Sequence, residues 1–347
     1  MNPITFTLLA LSMILGTIIT LSSSHWLLAW AGLELNTLAI IPIISKQHHP
    51  RSTEAATKYF FTQATASALI VFASTTNAWK TGQWDISQVF LPETSIMITL
   101  AIAMKLGLAP FHFWLPEVLQ GSTLTVAMII STWQKLAPTA LLLMTINNLN
   151  QSIRVSMGLM SALIGGWMGL NQTQTRKIMA FSSIAHMGWM FTALSMAPSL
   201  TILVLITYLT LTSATFLALT MTTSKTLNDL GTSWSLSPTM LTITMLSLMS
   251  LGGLPPLTGF LPKWLILKEL VSMNLTLIST LMALSTLPSL FFYLRMSHMS
   301  TLTLPPTTTN MKNKWRFKTH PTKLITPTIV LATLTLPISP LVLNLCQ

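Results

Sequence analysis

The sequence predicts an all-α polytopic membrane protein with eleven transmembrane helices. Of the 347 residues, 51% are hydrophobic and only 7% are charged, whereas roughly 25% of the residues in an average soluble domain are charged. Apolar runs bounded by polar or turn residues recur along the chain, and most are long enough to cross a hydrocarbon core of about 30 Å as helices. The alternating pattern of a membrane β-strand is absent from these runs. An ordinary soluble fold is therefore excluded.

The predicted elements follow from these runs in chain order. Their approximate limits are residues 3–21, 25–45, 56–79, 94–121, 122–145, 149–170, 176–195, 199–221, 237–272, 273–296 and 323–345. The fourth and ninth segments are longer than one crossing requires. Both contain prolines, which lack the backbone donor that a helix needs, so both are predicted to be discontinuous. The candidate break residues are Pro110 and Pro116 in the fourth segment, and Pro255 and Pro256, after Gly252 and Gly253, in the ninth.

The two interrupted segments lie five segments apart, which predicts an internal repeat. The first repeat covers about residues 3–145, the second covers about 149–296, and a final helix follows at about 323–345. Because five is an odd number of crossings, the second copy enters the membrane in the opposite orientation. Inverted repeats with discontinuous helices are typical of transporters. We therefore predict a single membrane domain over residues 1–347.

The distribution of basic residues predicts the orientation of the chain. The formal net charge is +11, and in a membrane protein such an excess reflects the positive-inside rule, so nucleic-acid binding is disfavoured. The loops after even-numbered segments hold most of the basic residues, namely Lys46, Arg51, Lys58, Arg176, Lys177, Lys225, Lys312, Lys314, Arg316, Lys318 and Lys323. The N-terminus is therefore predicted on the positive-inside face and the C-terminus on the opposite face. The basic stretch 301–323 around Trp315 favours contact with anionic lipid head groups, cardiolipin among them, or forms a solvated loop.

Several kinds of cofactor site are not expected in this chain. The single cysteine, Cys346, cannot build a disulfide framework, an iron–sulfur cluster or a cysteine zinc site. The Gly-rich dinucleotide fingerprint and the phosphate-binding loop are both missing from the sequence. We therefore expect no metal and no bound cofactor here, and any redox chemistry would belong to partner subunits. The chain enters an apolar run at once, and we expect it to be inserted uncleaved.

Ionisable residues near the middle of the predicted spans are the candidate functional residues. Four of them lie nine to thirteen residues into their segments, hence roughly 14–20 Å deep, and the fifth lies seven residues beyond the second break. They are Glu34, Lys105, Lys135, His186 and Lys263, with His112 and Glu117 beside the first break. A charge at this depth costs about 2.5–3.5 kcal/mol and is functional by default. The alternatives are structural ion pairs or, for His186, a packed helix histidine.

Three sequence motifs carry a resemblance to a known family. They read MKLGLAPFHFWLPEV at Met104–Val118, RKIMAFSSIAHMG at Arg176–Gly188, and GLPPLTGFLPKW at Gly253–Trp264. The sequence resembles Mrp-type antiporter subunits and the related proton-pumping subunits of respiratory complex I over essentially its whole length. The composition, rich in Met and Thr, is similar to that of chains encoded in animal mitochondria. The resemblance implies a location in the mitochondrial inner membrane and a fold of two inverted five-helix bundles.

The resemblance also implies roles for the candidate residues. Glu34 and Lys105 would form a coupling ion pair, Lys135 the central relay, and His186 and Lys263 the onward path of the proton. The chain would hold no redox centre, and partner subunits of complex I would bind NADH, FMN, iron–sulfur clusters and ubiquinone. Two alternatives stay open: a stand-alone cation/proton antiporter, which the lack of a carboxylate cluster for sodium disfavours, and a non-pumping assembly scaffold, which the midplane charges disfavour.

Overall fold

The computed structural model describes residues 2–47, 49–88, 91–235, 237–301, 325–334 and 336–337. Over these ranges the chain is helical and has no β-sheet, which confirms the all-α prediction. Six helical stretches there are long and apolar enough to cross a membrane, and one of them, Leu124–Met144, includes a short 3-10 turn. The total of eleven spans stays a prediction. The basic stretch 301–323 and most of the last predicted segment lie outside the described residues.

Residues 1–160 form one compact unit. In it α1 packs against α2, α2 against α3, and α3 against both α4 and α5. At the contact of α1 with α2, a Cβ atom on Gly16 would lie 2.8 Å from the carbonyl oxygen of Gly32, so only glycine permits this approach. The helices are α1 (Pro3–Ser22), α2 (Trp26–Ile44), α3 (Pro50–Thr81), α4 (Pro92–Leu106), α5 (Trp114–Gly121), α6 (Leu124–Ser131), α7 (Leu136–Met144) and the first half of α8 (Gln151–Gly169).

Residues 161–347 form a second compact unit. In it α10 packs against α9, α12 and α15, and α12 packs against α14. The helices after α8 are α9 (Thr175–Met196), α10 (Pro198–Thr222), α11 (Leu227–Thr232), α12 (Pro238–Gly252), α13 (Phe260–Ser272), α14 (Thr276–Ser300) and α15 (Ile325–Leu334). The short α11 was not predicted. It begins at a capping box in which Thr226 and Asp229 bond to each other's backbone N–H groups.

The helix boundaries show an interruption in each of the two long predicted segments. The first separates α4 from α5, and the second separates α12 from α13. In each case the first helix ends at a glycine with positive φ, Gly107 at 74° and Gly253 at 83°, which is the usual left-handed cap. Pro110 lies within the first interruption, whereas Pro116 lies in the first turn of α5, where a proline ring is tolerated. The prediction that Pro116 breaks the helix was therefore wrong.

A third interruption divides the fifth predicted segment, 122–145, which was expected to be one helix. A 3-10 turn at Trp133–Lys135 separates α6 from α7. There the Lys135 N–H bonds to the carbonyl of Thr132, three residues back. Pro138 favours this interruption, since it has no N–H to offer the carbonyl of residue 134 and its ring crowds that carbonyl.

Candidate functional site

Lys105 is the buried cation at the first interruption. It lies in the last turn of α4 and is 5% exposed. The carbonyl end of a helix stabilises a positive charge, so the helix end offsets part of the cost of burial. The Trp114 indole N–H donates to the neighbouring carbonyl of Met104 at 3.2 Å. Lys105 Nζ itself has no hydrogen-bond partner among the described residues.

Glu34 lies in the middle of α2 and interacts electrostatically with Lys105. Its charge also acts on the buried hydroxyl of Tyr59 in α3. Within the described part of the chain, Glu34 Oε2 is buried without a hydrogen-bond partner, as are side-chain atoms of Asn36 and Gln63. The two charges therefore interact without a direct hydrogen bond. Buried polar atoms without a partner are costly in a dry interior, so each of them calls for an explanation.

Lys135 ends the 3-10 turn between α6 and α7 and is 2% exposed. The neighbouring Gln134 links this turn to two other helices. Its Nε2 donates to the carbonyl of Asn36 in α2 at 3.5 Å, and its Oε1 accepts from the Tyr59 hydroxyl at 3.4 Å. Sequence reasoning missed Gln134 and Tyr59, because neither side chain is charged and nothing local marks their contact.

The two secondary candidates have different environments. His112, between α4 and α5, is 2% exposed, and its ring lies 4.2 Å from that of Phe113. Glu117 is exposed and binds Lys58 at 2.5 Å, and Lys58 also binds Glu54 at 2.5 Å. The hydrogen bond from Lys58 and then its charge lower the pKa of the Glu54 carboxyl. Glu117 thus belongs to a surface ion cluster of this unit and lies apart from the buried lysines.

His186 lies in the middle of α9 between two buried tyrosines. Its Nε2 lies 3.4 Å from the Tyr293 hydroxyl of α14. Its ring centroid is 5.6 Å from that of Tyr208 in α10. His186 is therefore held by polar and aromatic contacts within the second unit. The two tyrosines were not predicted, since α10 and α14 come together with α9 only in the packed unit.

Lys263 is the buried cation at the second interruption. It lies in the first turn of α13 and is 8% exposed. Its Nζ donates to the carbonyl of Gly252 at 2.9 Å and to that of Leu251 at 3.5 Å. These carbonyls end α12, so Lys263, like Lys105, lies at the carbonyl end of an interrupted helix. Pro255 and Pro256 are exposed in the interruption itself.

A cavity of about 20 Å³ joins His186 to Lys263 within the second unit. Tyr208 and Thr207 also line it. A cavity of this size holds about one water molecule. Two titratable side chains therefore border one water-sized space. Among the described residues, no group of three or more His, Cys, Asp or Glu side chains is placed to hold a metal ion.

Comparison with known proteins defines the class first. Residues 23–289 match the family described as "NADH:quinone oxidoreductase/Mrp antiporter, TM", and residues 290–343 match "NADH dehydrogenase subunit 2 C-terminus". The fold agrees with this class. A structure of respiratory complex I from Thermus thermophilus with bound aureothin matches with a TM-score of 0.86 and 25% identity, over 99% of this chain and 80% of that chain. A structure of the Mrp complex from Dietzia sp. DQ12-45-1b matches in fold, with a TM-score of 0.82 and 16% identity, over 96% of this chain and 75% of that chain.

Curated relatives then identify the particular family. The NADH-ubiquinone oxidoreductase chain 2 of Salmo salar is 56% identical over 99% of both chains. That of Gallus gallus is 55% identical, over 99% of this chain and 100% of the relative. The chain belongs to the NADH-ubiquinone oxidoreductase chain 2 family. The predicted family resemblance is thereby confirmed.

Proposed function

We propose that this chain is a proton-translocating membrane subunit of respiratory complex I. The observation that carries the proposal is the burial of Lys105 and Lys263, each at the carbonyl end of an interrupted helix. Such charges are expensive in a membrane protein and mark proton and ion pathways. Membership of the chain 2 family supports the coupling of this path to NADH:ubiquinone electron transfer, as the relatives' name describes.

The relay acts through the electrostatic interaction of Glu34 with Lys105. A change in the charge near Glu34 alters the free energy of protonating Lys105, and Lys135 then responds to the charge of Lys105. His186 and Lys263 exchange the proton through the water-sized cavity that both of them line. The order Lys135, His186, Lys263 is the order that the family resemblance implies. His112 is a secondary member of the relay, and Glu117, paired with Lys58 at the surface, is assigned no transfer step.

The same proposal includes location, cofactors and partners. The chain lies in the mitochondrial inner membrane with its N-terminus on the matrix side and its C-terminus on the intermembrane-space side. It holds no redox centre, and NADH, FMN, iron–sulfur clusters and ubiquinone bind to partner subunits. Neighbouring antiporter-like subunits and anionic lipids contact its surface. Two inverted five-helix repeats and eleven spans are part of the proposed architecture.

The decisive variant is Glu34→Gln in the assembled complex. Glutamine keeps the volume of the side chain but removes its charge, so we expect fewer protons pumped per electron with assembly retained. The measurement is the proton-to-electron ratio of the purified complex in sealed vesicles. The matched control is Glu93→Gln, which removes an exposed carboxylate that pairs with Lys80 and should leave the ratio unchanged. An unchanged ratio in the assembled Glu34→Gln complex refutes the proposal.

Purification in a mild detergent separates this function from the alternatives. If the chain is a complex I subunit, flavin, iron–sulfur signals and inhibitor-sensitive NADH:quinone activity copurify with it. A stand-alone antiporter would instead emerge by itself and exchange protons for sodium in vesicles. A non-pumping scaffold would copurify, but the Glu34→Gln variant would then pump normally.

A further inference from the structure

Tyr59 contacts both the interruption at Lys105 and the interruption at Lys135. It lies on the continuous helix α3 and is 2% exposed. Its ring contacts Trp114, the first residue of α5, and its hydroxyl contacts Gln134 in the 3-10 turn between α6 and α7. One buried tyrosine therefore links two interruptions of the first unit, and it has no part in the relay described so far.

The ring of Tyr59 supports the interruption at Lys105. Its centroid lies 5.6 Å from that of Trp114, and the two ring planes meet at 67°, an edge-to-face arrangement that aromatic pairs favour. Trp114 is 7% exposed, and its indole N–H donates to the carbonyl of Met104 at 3.2 Å. Because Met104 directly precedes Lys105, this hydrogen bond holds the backbone that carries the ammonium group.

The hydroxyl of Tyr59 supports the interruption at Lys135. It donates to Gln134 Oε1 at 3.4 Å, and Gln134 Nε2 donates to the carbonyl of Asn36 in α2 at 3.5 Å. The amide of Gln134 is thus held on one side by α3 and on the other by α2. Backbone hydrogen bonds have poorer geometry in a 3-10 turn than in an α-helix, so these side-chain contacts help to fix the turn. Gln134 directly precedes Lys135, so they also fix the start of that side chain.

Core packing alone does not account for the hydroxyl of Tyr59. A phenylalanine would fill nearly the same space, and a buried hydroxyl costs free energy unless it is hydrogen-bonded. The hydroxyls of Thr62 and Ser67, also on α3, bond to carbonyls of their own helix. The hydroxyl of Tyr59 instead bonds to a residue 75 positions away in the chain. Its specific contribution is therefore a contact between elements.

We propose that Tyr59 is a positioning residue that holds the ammonium groups of Lys105 and Lys135 at a fixed separation. The inference rests on the proposed function, because there Lys135 responds to the charge of Lys105. The interaction energy of two charges varies with the inverse of the distance between them. Movement of either interruption therefore changes how strongly one charge acts on the other. Tyr59 itself transfers no proton.

The test begins with Tyr59→Phe in the whole complex. This variant keeps the ring against Trp114 but removes the bond to Gln134, so we expect fewer protons per electron with NADH:quinone activity retained. Gln134→Met removes the same bond from the other side, and the double variant should be no worse than Gln134→Met alone. Ser67→Ala is the matched control, because it removes a buried hydroxyl of α3 that bonds to the carbonyl of Ala64. It should leave the ratio unchanged.

Trp114→Phe tests the contact at the other interruption. It keeps an aromatic ring next to Tyr59 but removes the N–H that binds the carbonyl of Met104, so we expect fewer protons per electron here as well. A normal ratio in the assembled Trp114→Phe complex would overturn the proposal, since Tyr59 would then position only one of the two lysines.

The pH dependence of pumping provides a readout that a packing role would not change. A displaced Lys135 ammonium has a different free energy of protonation, because its distances from neighbouring charges and dipoles change. The pH profile of the proton-to-electron ratio should therefore shift in Tyr59→Phe and shift in the same direction in Gln134→Met. Ser67→Ala should keep the profile of the parent complex.

The outcomes separate the two proposals. If Lys135→Met leaves the proton-to-electron ratio unchanged, the proposed relay itself fails. If Lys135→Met lowers the ratio but Tyr59→Phe changes neither the ratio nor the pH profile, only the positioning role is overturned. Should Tyr59→Phe fail to assemble, Gln134→Met decides in its place. A ratio and a profile like those of the parent would then overturn the proposal.

Discussion

At the scale of single residues, the protein places a buried lysine at each of two helix interruptions. Lys263 donates directly to two backbone carbonyls, whereas Lys105 interacts with Glu34 through charge without a hydrogen bond. The backbone carbonyls at the end of α12 stabilise the positive charge of Lys263 without a carboxylate partner among the described residues. This arrangement suits a group that must exchange a proton without leaving its site.

Replacing Lys263 by methionine removes the charge and leaves the carbonyls of Gly252 and Leu251 without this donor. We expect proton pumping to fall, and the assembled complex to lose about 1–3 kcal/mol of stability to the unpaired carbonyls. Pumping in vesicles and thermal denaturation measure the two effects. Lys268→Met, an exposed lysine on the same helix, is the control and should change neither. Normal pumping by the Lys263→Met complex would contradict the assignment of Lys263.

Gly253 permits a test of the backbone around Lys263. Its φ is +83°, and an added Cβ would lie 3.0 Å from Lys263 Nζ. We expect Gly253→Ala to cost about 1–2 kcal/mol of stability from the left-handed backbone and also to lower pumping by displacing the ammonium group. Gly82→Ala is the control, because Gly82 has a φ of +72° but open space around its Cβ position. If both variants pump equally well, the contact between residue 253 and Lys263 does not affect proton pumping.

At the scale of elements, prolines have different effects according to their position. Several helices begin with proline as their first residue, namely those starting at Pro3, Pro50, Pro92, Pro198 and Pro238. Pro42 lies inside the continuous helix α2, whereas Pro138 coincides with the interruption next to Lys135. Proline alone therefore does not decide whether a helix breaks, and the surrounding packing contributes.

The interruption at Lys135 can be tested by restoring the helical hydrogen bond. Pro138→Ala supplies an N–H to the carbonyl of Gln134 and removes the crowding by the ring. We expect a more continuous helix, a displaced Lys135 ammonium and fewer protons per electron in an assembled complex. Pro42→Ala makes the same change within α2 and should leave the ratio unaltered. Equal ratios for the two variants would show that the 3-10 turn has no part in pumping.

At the scale of the whole molecule, the chain consists of two compact units, residues 1–160 and 161–347. Each unit contains an interrupted helix with a buried lysine at the interruption. The family match extends over residues 23–289 and 290–343, so it covers both units. The orientation of the chain in the membrane is predicted from the charges of its loops.

Protease accessibility tests the predicted orientation. The basic stretch 301–323 should be cut when protease reaches the matrix face, because positively charged loops stay on the inside. Mitoplasts and inverted inner-membrane vesicles present the two faces separately, and an antibody against the N-terminal end of the chain detects the fragment. Cleavage in mitoplasts alone would reverse the predicted topology. Exposure of the matrix face should therefore give the fragment and exposure of the opposite face should not.

The sequence alone predicted the all-α fold, the approximate limits of most helices and the two long interruptions. Hydropathy and proline act locally along the chain, so these features can be recognised without knowledge of the packing. The candidate ionisable residues were likewise predicted, because a charge within an apolar run is conspicuous on its own. The interruption at Trp133–Lys135 was missed, although Pro138 was the local signal that marked it.

Only the tertiary structure decided which partner each functional group has. Gln134 bonds to Tyr59, Tyr293 contacts His186, and Glu117 pairs with Lys58. These partners lie far apart in the chain on different helices, and their side chains carry no local pattern that pairs them. Hydrogen bonds and ion pairs depend on distances of a few ångströms, which arise only when the helices pack. The sequence therefore determines which positions of the membrane domain carry ionisable side chains, and the packing determines what each of these side chains contacts.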